Sequence, residues 1–344
     1  MTEWNEQRKK EQTEQTRSLI EDMVGSLNEH IIEGQEKFWL PDAKWYGPAG
    51  AGTKPNLKAF QNGWQRPFLN AFPDKRATMD IFFAEGEYAV ASGEVFATHK
   101  GEFMGLPGNN KPIRLRYMDF WRIENDKIVE NWVLLDIIDF FRQHNIDLLK
   151  GKGWDELGIE SQQNGSNEKP IEESMSMEAS MGISMKTPMQ KLGKSNGQDE
   201  RTRQVVTDMV AALNRHVIDG MEAFWAADAK WRGPAGGGTK PSLKAFQDGW
   251  QRPFLNAFPD KGGALDIFIT EGKYAAATGV VVATHKGDFM GLPGHNKKIT
   301  LRYMDIWEVV DDKIVDNWVL LDIIDFFRQH DVDLLEGKGW DDRF

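Results

Sequence analysis

Hydrophobic positions along the chain change period several times, and the changes come in the same order twice. Residues 14–38 carry Leu19, Ile20, Met23, Val24, Leu27 and Ile31 at helical spacing, which predicts an amphipathic helix. LPDAKWYGPAG then reads as a turn, a short strand and a Gly/Pro loop, and PNLKAFQNGWQRPFLNAFPD as helical on either side of Pro67. The alternating runs TMDIFFAEG and EYAVASGEVFATHK flank a turn around Glu85 and Gly86, a hairpin pattern. IRLRYMDFWRI and KIVENWVLLDI flank Asn125 and Asp126, a second hairpin, and a closing helix over IDFFRQHNIDLL is stopped by Gly151 and Gly153. Helices, then antiparallel strands, then a terminal helix predict an α+β roll: a curved antiparallel sheet wrapped around its helices, with room for a pocket.

The second pass along the pattern is a repeat of the first. EGQEKFWLPDAKWYGPAGAGTKPNLKAFQNGWQRPFLNAFPDK at 33–75 returns as DGMEAFWAADAKWRGPAGGGTKPSLKAFQDGWQRPFLNAFPDK at 219–261. The offset stays at 186 residues from His30/His216 to Trp154/Trp340, so the copies align without a gap. A period this long marks a duplicated domain rather than a solenoid. The first copy is expected over 1–157 and the second over 199–344. Between them, 158–198 is rich in Ser, Gly, Gln and Met without an apolar period, and reads as a flexible linker.

Composition narrows the function. A net charge of −11, with no cluster of basic residues, excludes a nucleic-acid partner and disfavours an anionic membrane surface. No apolar run approaches the ~20 residues that span a bilayer, and the polar start MTEWNEQRKKEQTEQTRS lacks the apolar stretch of a secretory signal. With no cysteine there is no disulfide, thiolate metal site or cysteine nucleophile. A cytoplasmic protein is the expectation. The spacing of histidines and carboxylates shows no metal-ligand pattern, and neither a GxGxxG nor a Walker loop is present, so neither a metal nor a cofactor is expected. GAGTK resembles a phosphate loop only superficially.

Candidate chemistry follows from strand parity. If Asn125-Asp126 is a two-residue hairpin loop, Asp119 opposes Trp132, Tyr117 opposes Leu134 and Leu115 opposes Asp136. Leu115, Tyr117, Asp119, Trp121, Trp132, Leu134 and Asp136 then share one apolar, aromatic face. His99 ends the preceding strand at the same end of the sheet as Asp136, and loop 100–112 hangs over that end with Phe103 as part of an apolar lid. Among Trp and Leu, Asp136 loses hydration, which raises its pKa toward a value useful for proton transfer. His99 is placed to stabilise an oxyanion or relay the proton. Tyr117, Asp119, Trp45, Trp132, Phe103 and Arg66 are the expected substrate-binding groups. In the second copy the set is Asp322 and His285, with Tyr303, Asp305, Trp231, Trp318, Phe289 and Arg252. Plainer roles stand beside these: Asp136 or Asp139 as a helix cap, His99 bonded to a loop carbonyl, Tyr117 as a pocket wall, Asp119 as a structural partner of Arg66, and Arg66 as a surface arginine.

NAFPD (70–74), THKGEFMGLP (98–107) and DKIVENWVLLDIIDFFRQ (126–143), each with a counterpart in the second copy, carry a resemblance. Through them the chain resembles the SnoaL-like polyketide cyclase family of the nuclear-transport-factor-2-like superfamily. The resemblance implies two tandem cystatin-like α+β rolls. It also implies an aspartate at the end of the last strand, matched by Asp136 and Asp322, as general acid/base in an intramolecular aldol closure. Family enzymes place polar groups, often histidine, on the last two strands; here Leu134 and Leu320 stand two residues before the aspartates. The resulting expectation is a cofactor-free cyclase-like enzyme that abstracts a proton next to a carbonyl of a hydrophobic small molecule, for cyclisation or isomerisation. Two alternatives accompany it: a non-catalytic small-molecule or protein binding module, and an Asp/Arg-dependent epoxide hydrolase or dehydratase. Family members often dimerise through the open sheet face, so the tandem is expected to form an intramolecular pseudo-dimer, with further homo-oligomers left open.

Overall fold

The first half runs α1 (Thr2–Asn28), β1 (Trp39–Tyr46), β2 (Thr53–Lys54), α2 (Leu57–Phe60), α3 (Arg66–Ala71), β3 (Arg76–Ala77), β4 (Ile81–Glu85), β5 (Tyr88–Thr98), β6 (Pro112–Glu124), β7 (Lys127–Leu135) and α4 (Ile137–Gln143). The computed structural model describes residues 2–159 and 197–344, with side chains from Glu6 onward; the linker expected over 158–198 lies, but for its ends, outside the described residues. The second half repeats the order: α5 (Gln198–Asn214), β8 (Trp225–Arg232), β9 (Thr239–Lys240), α6 (Leu243–Phe246), α7 (Arg252–Ala257), β10 (Gly262–Gly263), β11 (Ile267–Glu271), β12 (Tyr274–His285), β13 (Lys297–Val310), β14 (Lys313–Leu321) and α8 (Ile323–Gln329). Among the described residues, no helix is long and apolar enough to cross a membrane.

Helix α1 starts well before residue 14, because its polar first half is built of Glu, Gln, Lys and Arg, all good helix formers. It stops at Asn28, short of 38, where His30 takes a left-handed conformation (φ 62°) that ends the helix. Pro67 does not break the helix: it follows directly on a π-helical turn over Gln61–Gln65 that joins α2 to α3, a local widening of the i→i−4 ladder that accommodates a residue lacking an N–H.

Each half is an α+β roll, and its sheet runs β2-β1-β7-β6-β5-β3, with β4 also paired to β5. The sheet is mixed, not purely antiparallel, because β1 lies parallel to β7. Nearly the whole domain separates these two strands in sequence, so no hairpin dictates their relative direction.

The β6–β7 hairpin decides the rest. Asn125 and Asp126 form its two-residue turn, with the positive φ values (50° and 58°) that a type I′ turn requires. Glu124 faces Lys127 and Ile123 faces Ile128, but the next pair is Arg122 with Glu130. Val129 is therefore an extra residue, a β-bulge, and Val315 repeats it in the second half. Beyond the bulge Asp119 faces Val133 and Tyr117 faces Leu135. Because side chains alternate, this one-residue slip turns Trp132, Leu134 and Asp136 to the face opposite Asp119. The single shared face expected from the loop length is corrected accordingly.

One sheet face holds the domain core and α1. On the other, Phe83, Met118, Phe120 and Leu134 pack in one buried cluster with Ile269, Met304, Ile306 and Leu320 of the second half. Phe83 stacks on Tyr274 at 6.1 Å, and reciprocal ion pairs Arg17–Glu271 and Arg203–Glu85 flank the seam. The chain is thus an internal pseudo-dimer.

The halves also exchange arms. After α4, Trp154 leaves its own half and packs edge-on against Phe289 at 5.1 Å and Trp250 at 5.7 Å. Trp340 packs likewise against Phe103 at 5.0 Å and Trp64 at 5.8 Å. The lysine of each GPAG-x-GTK loop clasps the arm: Lys240 Nζ donates to the Trp154 and Asp155 carbonyls (2.7 and 2.8 Å), and Lys54 Nζ to those of Trp340 and Asp341 (2.9 and 3.0 Å). Gly52 (φ 69°) has to be glycine, since a Cβ there would meet the Asp341 Cα at 2.8 Å. Replacing Trp340 by alanine is expected to cost about 3–5 kcal/mol, the range for emptying a buried tryptophan site. A urea titration reads this directly, and a loss below ~1 kcal/mol would show that the arm does not hold the halves together.

Candidate functional site

Between α1, α2–α3 and the concave sheet face lies a cavity of about 140 Å³, and the second half has its counterpart of about 150 Å³. The walls are aromatic. Trp45 stacks on Phe60 at 5.1 Å and on Trp64 at 5.1 Å, and Trp64 stacks on Phe68. Trp64 also touches Trp340, so each cavity wall is backed by the other half's arm.

One carboxylate faces each cavity from the sheet: Asp119 from β6 and Asp305 from β13. Enclosed deep in the domain, and accessible only in part, the Asp119 carboxyl is pushed up to about 7 by burial; a hydrogen bond from Asn131 pulls the other way. Asp305 is likewise raised to about 7 by burial, against Asn317. Each asparagine Nδ2 donates to its aspartate Oδ1 at 3.0 Å and to a neighbouring strand carbonyl at 3.0 Å, which fixes the carboxyl plane. Tyr117 and Tyr303 line the same cavities, and their hydroxyls donate to the Thr78 and Ala264 carbonyls. Burial pushes both phenols up, so they stay neutral.

Other polar groups complete the lining. Burial lowers Lys75 to about 8, and its Nζ donates to the Leu27 carbonyl at 2.8 Å. Trp39 and Trp225 each keep a buried Nε1 without a hydrogen-bond partner among the described residues. Gln65 Nε2 is taken by Gln35, whereas Met221 replaces Gln35 in the second half and leaves both amide atoms of Gln251 buried and unpaired. Leaving such groups unpaired is costly, so they are places where the cavity can offer a hydrogen bond. None was singled out from the sequence. Asn131 was the most legible, a polar residue within an otherwise apolar strand, but its facing depended on the bulge.

The protonation of Asp119 and Asp305 has a measurable consequence. Their folded-state pKa lies above the ordinary 3.8, so between about pH 4 and 7 the folded protein binds more protons than the unfolded chain. Their contribution to stability is fully present below about pH 4, declines as pH rises to about 7, and is flat beyond. The D119N/D305N variant, neutral throughout, is expected to melt close to the wild type at pH 4 and above it at pH 8. Parallel melting curves at both pH values would refute the raised carboxyls.

The other expected site residues lie elsewhere. Asp136 caps α4, accepting from the Asp139 N–H at 3.3 Å, and pairs with Arg116 at 2.9 Å. It also accepts from the Ala235 N–H of the second half at 3.0 Å, while Arg116 donates to the Arg232 and Gly233 carbonyls. Asp322 mirrors this with Arg302 at 2.6 Å and the Ala49 N–H at 3.0 Å. Asp155 and Asp341 accept from the adjoining Gly236 and Gly50 amides, so each GPAG loop is a cradle for two carboxylates of the opposite half. The bulge put Asp136 and Asp322 on this seam and off the pocket face. Trp132 and Trp318 turned outward with them, and Trp132 stacks on Tyr46.

His99 and His285 are fully buried among phenylalanines behind the cavity, away from Asp136 and Asp322. His99 Nδ1 lies 3.0 Å from His144 Nε2. Phe103 and Phe289 are no lid: both are fully buried, as the seats of the Trp340 and Trp154 arms. Arg66 and Arg252 stay on the surface, bonded to Glu33 and Asn62, and to Asp219 and Asp248, because helix-surface partners lie closer than the pocket. The Asp/Arg arrangement that epoxide opening would need is therefore not formed by these arginines. Histidine spacing, finally, concealed a cluster: His285, His295 and His330 offer ligand atoms within 4.8 Å of one another. The three meet only through the fold.

Residues 17–144 and 203–330 each match the family model described as SnoaL-like polyketide cyclase. The chain belongs to the SnoaL-like polyketide cyclase family. It holds two SnoaL-like units, and membership supports a cyclase-like function on a small molecule in general terms. No curated protein matches the chain. Similar solved structures include AclR from Streptomyces galilaeus (23% identity, 38% of this chain, 96% of that one, TM-score 0.35). IdmH from Streptomyces antibioticus is similar to the same degree (23% identity, 38% and 99% covered, TM-score 0.35). A SnoaL-like polyketide cyclase from Agrobacterium tumefaciens shares 19% identity over 38% of this chain and 97% of its own, with a TM-score of 0.33.

Proposed function

We propose that this SnoaL-like protein is a cyclase-like or isomerising catalyst in which Asp119 and Asp305, rather than the strand-end aspartates, move the proton. The observation that carries this reading is a carboxyl of pKa about 7 facing an aromatic cavity in each half. A group poised near neutrality both takes and returns a proton, the property that general acid–base catalysis rewards. The aromatic walls favour a flat, hydrophobic molecule. Its C–H bond next to a carbonyl breaks, the proton goes to the Asp119 carboxylate, and the electron pair passes into an enolate. The enolate carbon then attacks a second carbonyl carbon to close a ring, and the new alkoxide takes the proton back. Alternatively, reprotonation at another carbon gives an isomer. Protons and electron pairs shift only within the substrate and between it and the carboxyl, so the step consumes no oxidant or reductant.

The unpaired Trp39 Nε1, and in the second half Trp225 Nε1 with the Gln251 amide, supply donors for the oxyanion. The test is a naphthyl 1,3-diketone probe in D2O. Protein-dependent deuteration of the carbon between the carbonyls, together with quenching of pocket tryptophan fluorescence, is expected. Quenching without exchange would leave a binding module in place of the catalyst, and neither signal would remove the pocket as the functional site.

A further inference from the structure

Among the described residues, a cluster of groups outside the cavities stands in the second half with no equivalent in the first. His285 ends β12, His295 lies in the loop that follows, and His330 caps the C-terminus of α8. We propose that His285, His295 and His330 form a binding site for a divalent zinc-class transition-metal ion, one per chain.

The geometry carries the proposal. Zinc–nitrogen bonds of 2.0–2.1 Å in a tetrahedral shell set ligand nitrogens roughly 3.3 Å apart. His285 Nδ1 and His330 Nε2 are already 3.1 Å apart. One ligand nitrogen from each of the three histidines lies within 4.8 Å of the others, and the exposed His295 side chain is the one with room to swing toward the buried pair. Its ring is 5.7 Å from that of His330, centroid to centroid. His285, in contrast, is fully buried; among the described residues its Nε2 has no partner, a feature it shares with His99, so His295 is what sets the second half apart.

The first half is an internal control. There Asn109 replaces His295, and His99 and His144 form a closed pair in which His144 Nδ1 bonds the Phe140 carbonyl at 2.9 Å. Among the described residues no such bond joins His330 to Phe326. The His330 ring instead stands 61° to Phe326, where His144 makes 42° with Phe140. Three imidazoles without a carboxylate suit zinc, nickel or copper and not calcium or magnesium, and they leave a fourth position for water. Lys297, a neighbouring cation, is engaged with the Gln329 carbonyl.

The experiment is calorimetric titration of the untagged full chain, freed of metal by chelation, with zinc chloride. One zinc per chain is expected, with a rise in melting temperature. His295→Asn, which restores the residue of the first half at an exposed position, is expected to weaken binding by more than the roughly 10–100-fold that loss of an outer-shell partner costs. Asn109→His is expected to raise the stoichiometry to two. Absence of zinc binding in the wild type, or unchanged affinity in His295→Asn, would overturn the site. A stoichiometry of one in Asn109→His would overturn the third imidazole as its deciding ligand.

Discussion

Replacing Asp119 and Asp305 together by asparagine is expected to lower turnover by on the order of 10²–10⁴-fold, the range for removing a positioned acid–base group. KM should change little, because asparagine keeps the shape of the side chain and can still accept the hydrogen bond from Asn131 or Asn317 at its amide oxygen. The same substitution removes two groups whose ionisation is disfavoured by burial, so the variant should be no less stable at neutral pH than its parent. Loss of turnover with stability retained is the signature of a group that acts on substrate. The single variants D119N and D305N divide the effect between the pockets. Since Met221 leaves the Gln251 Nε2 free while Gln35 occupies that of Gln65, the two losses are expected to be unequal. Full turnover in the double variant would end the assignment.

The second large effect falls on stability. Arg116→Met with Arg302→Met strands the buried carboxylates of Asp136 and Asp322, and removes the donors to the Arg232, Gly233, Tyr46 and Gly47 carbonyls across the seam. Breaking a buried ion pair by deleting one partner costs about 3–5 kcal/mol, and here each pair also ties one half to the other. A urea titration of the double variant should therefore show a midpoint well below that of the wild type. Asp136→Asn with Asp322→Asn provides the contrast. The asparagines still accept from the Ala235 and Ala49 amides, so stability falls while the turnover of the folded fraction stays near that of the wild type. Abolished turnover in a variant that melts normally would return these aspartates to the active site.

The two results together separate what family resemblance merges. The strand-end aspartates look reactive because they are carboxylates in an apolar setting, yet each has its charge matched by an arginine and by backbone amides of the opposite half. Among the described residues Asp119 and Asp305 have no such cation, only an asparagine amide, which offsets part of the effect of burial. An unmatched buried carboxyl is the less stable arrangement, and it is the one able to exchange a proton near neutral pH.

Much was legible in the sequence. The repeat stood out by self-similarity, the hairpin turns by their residues and the strands by alternation, because these are local properties of the chain. An α+β roll followed, and so did Trp45, Tyr117 and Asp119 as polar and aromatic residues of inward-facing strands. Which face carried Asp136 was decided by tertiary structure alone. The bulge at Val129 adds one residue to one strand, a change that no turn motif announces, and with a period of two it inverts every facing beyond it. Contacts between the halves were equally hidden: hydrophobic pattern records that Trp154 and Trp340 are buried, not that each is buried in the other copy. The GPAG-x-GTK loops, the arm lysines and the three histidines share that origin. Residues far apart in sequence acquire their chemistry from what the fold brings beside them, while periodicity and turn chemistry report only on near neighbours.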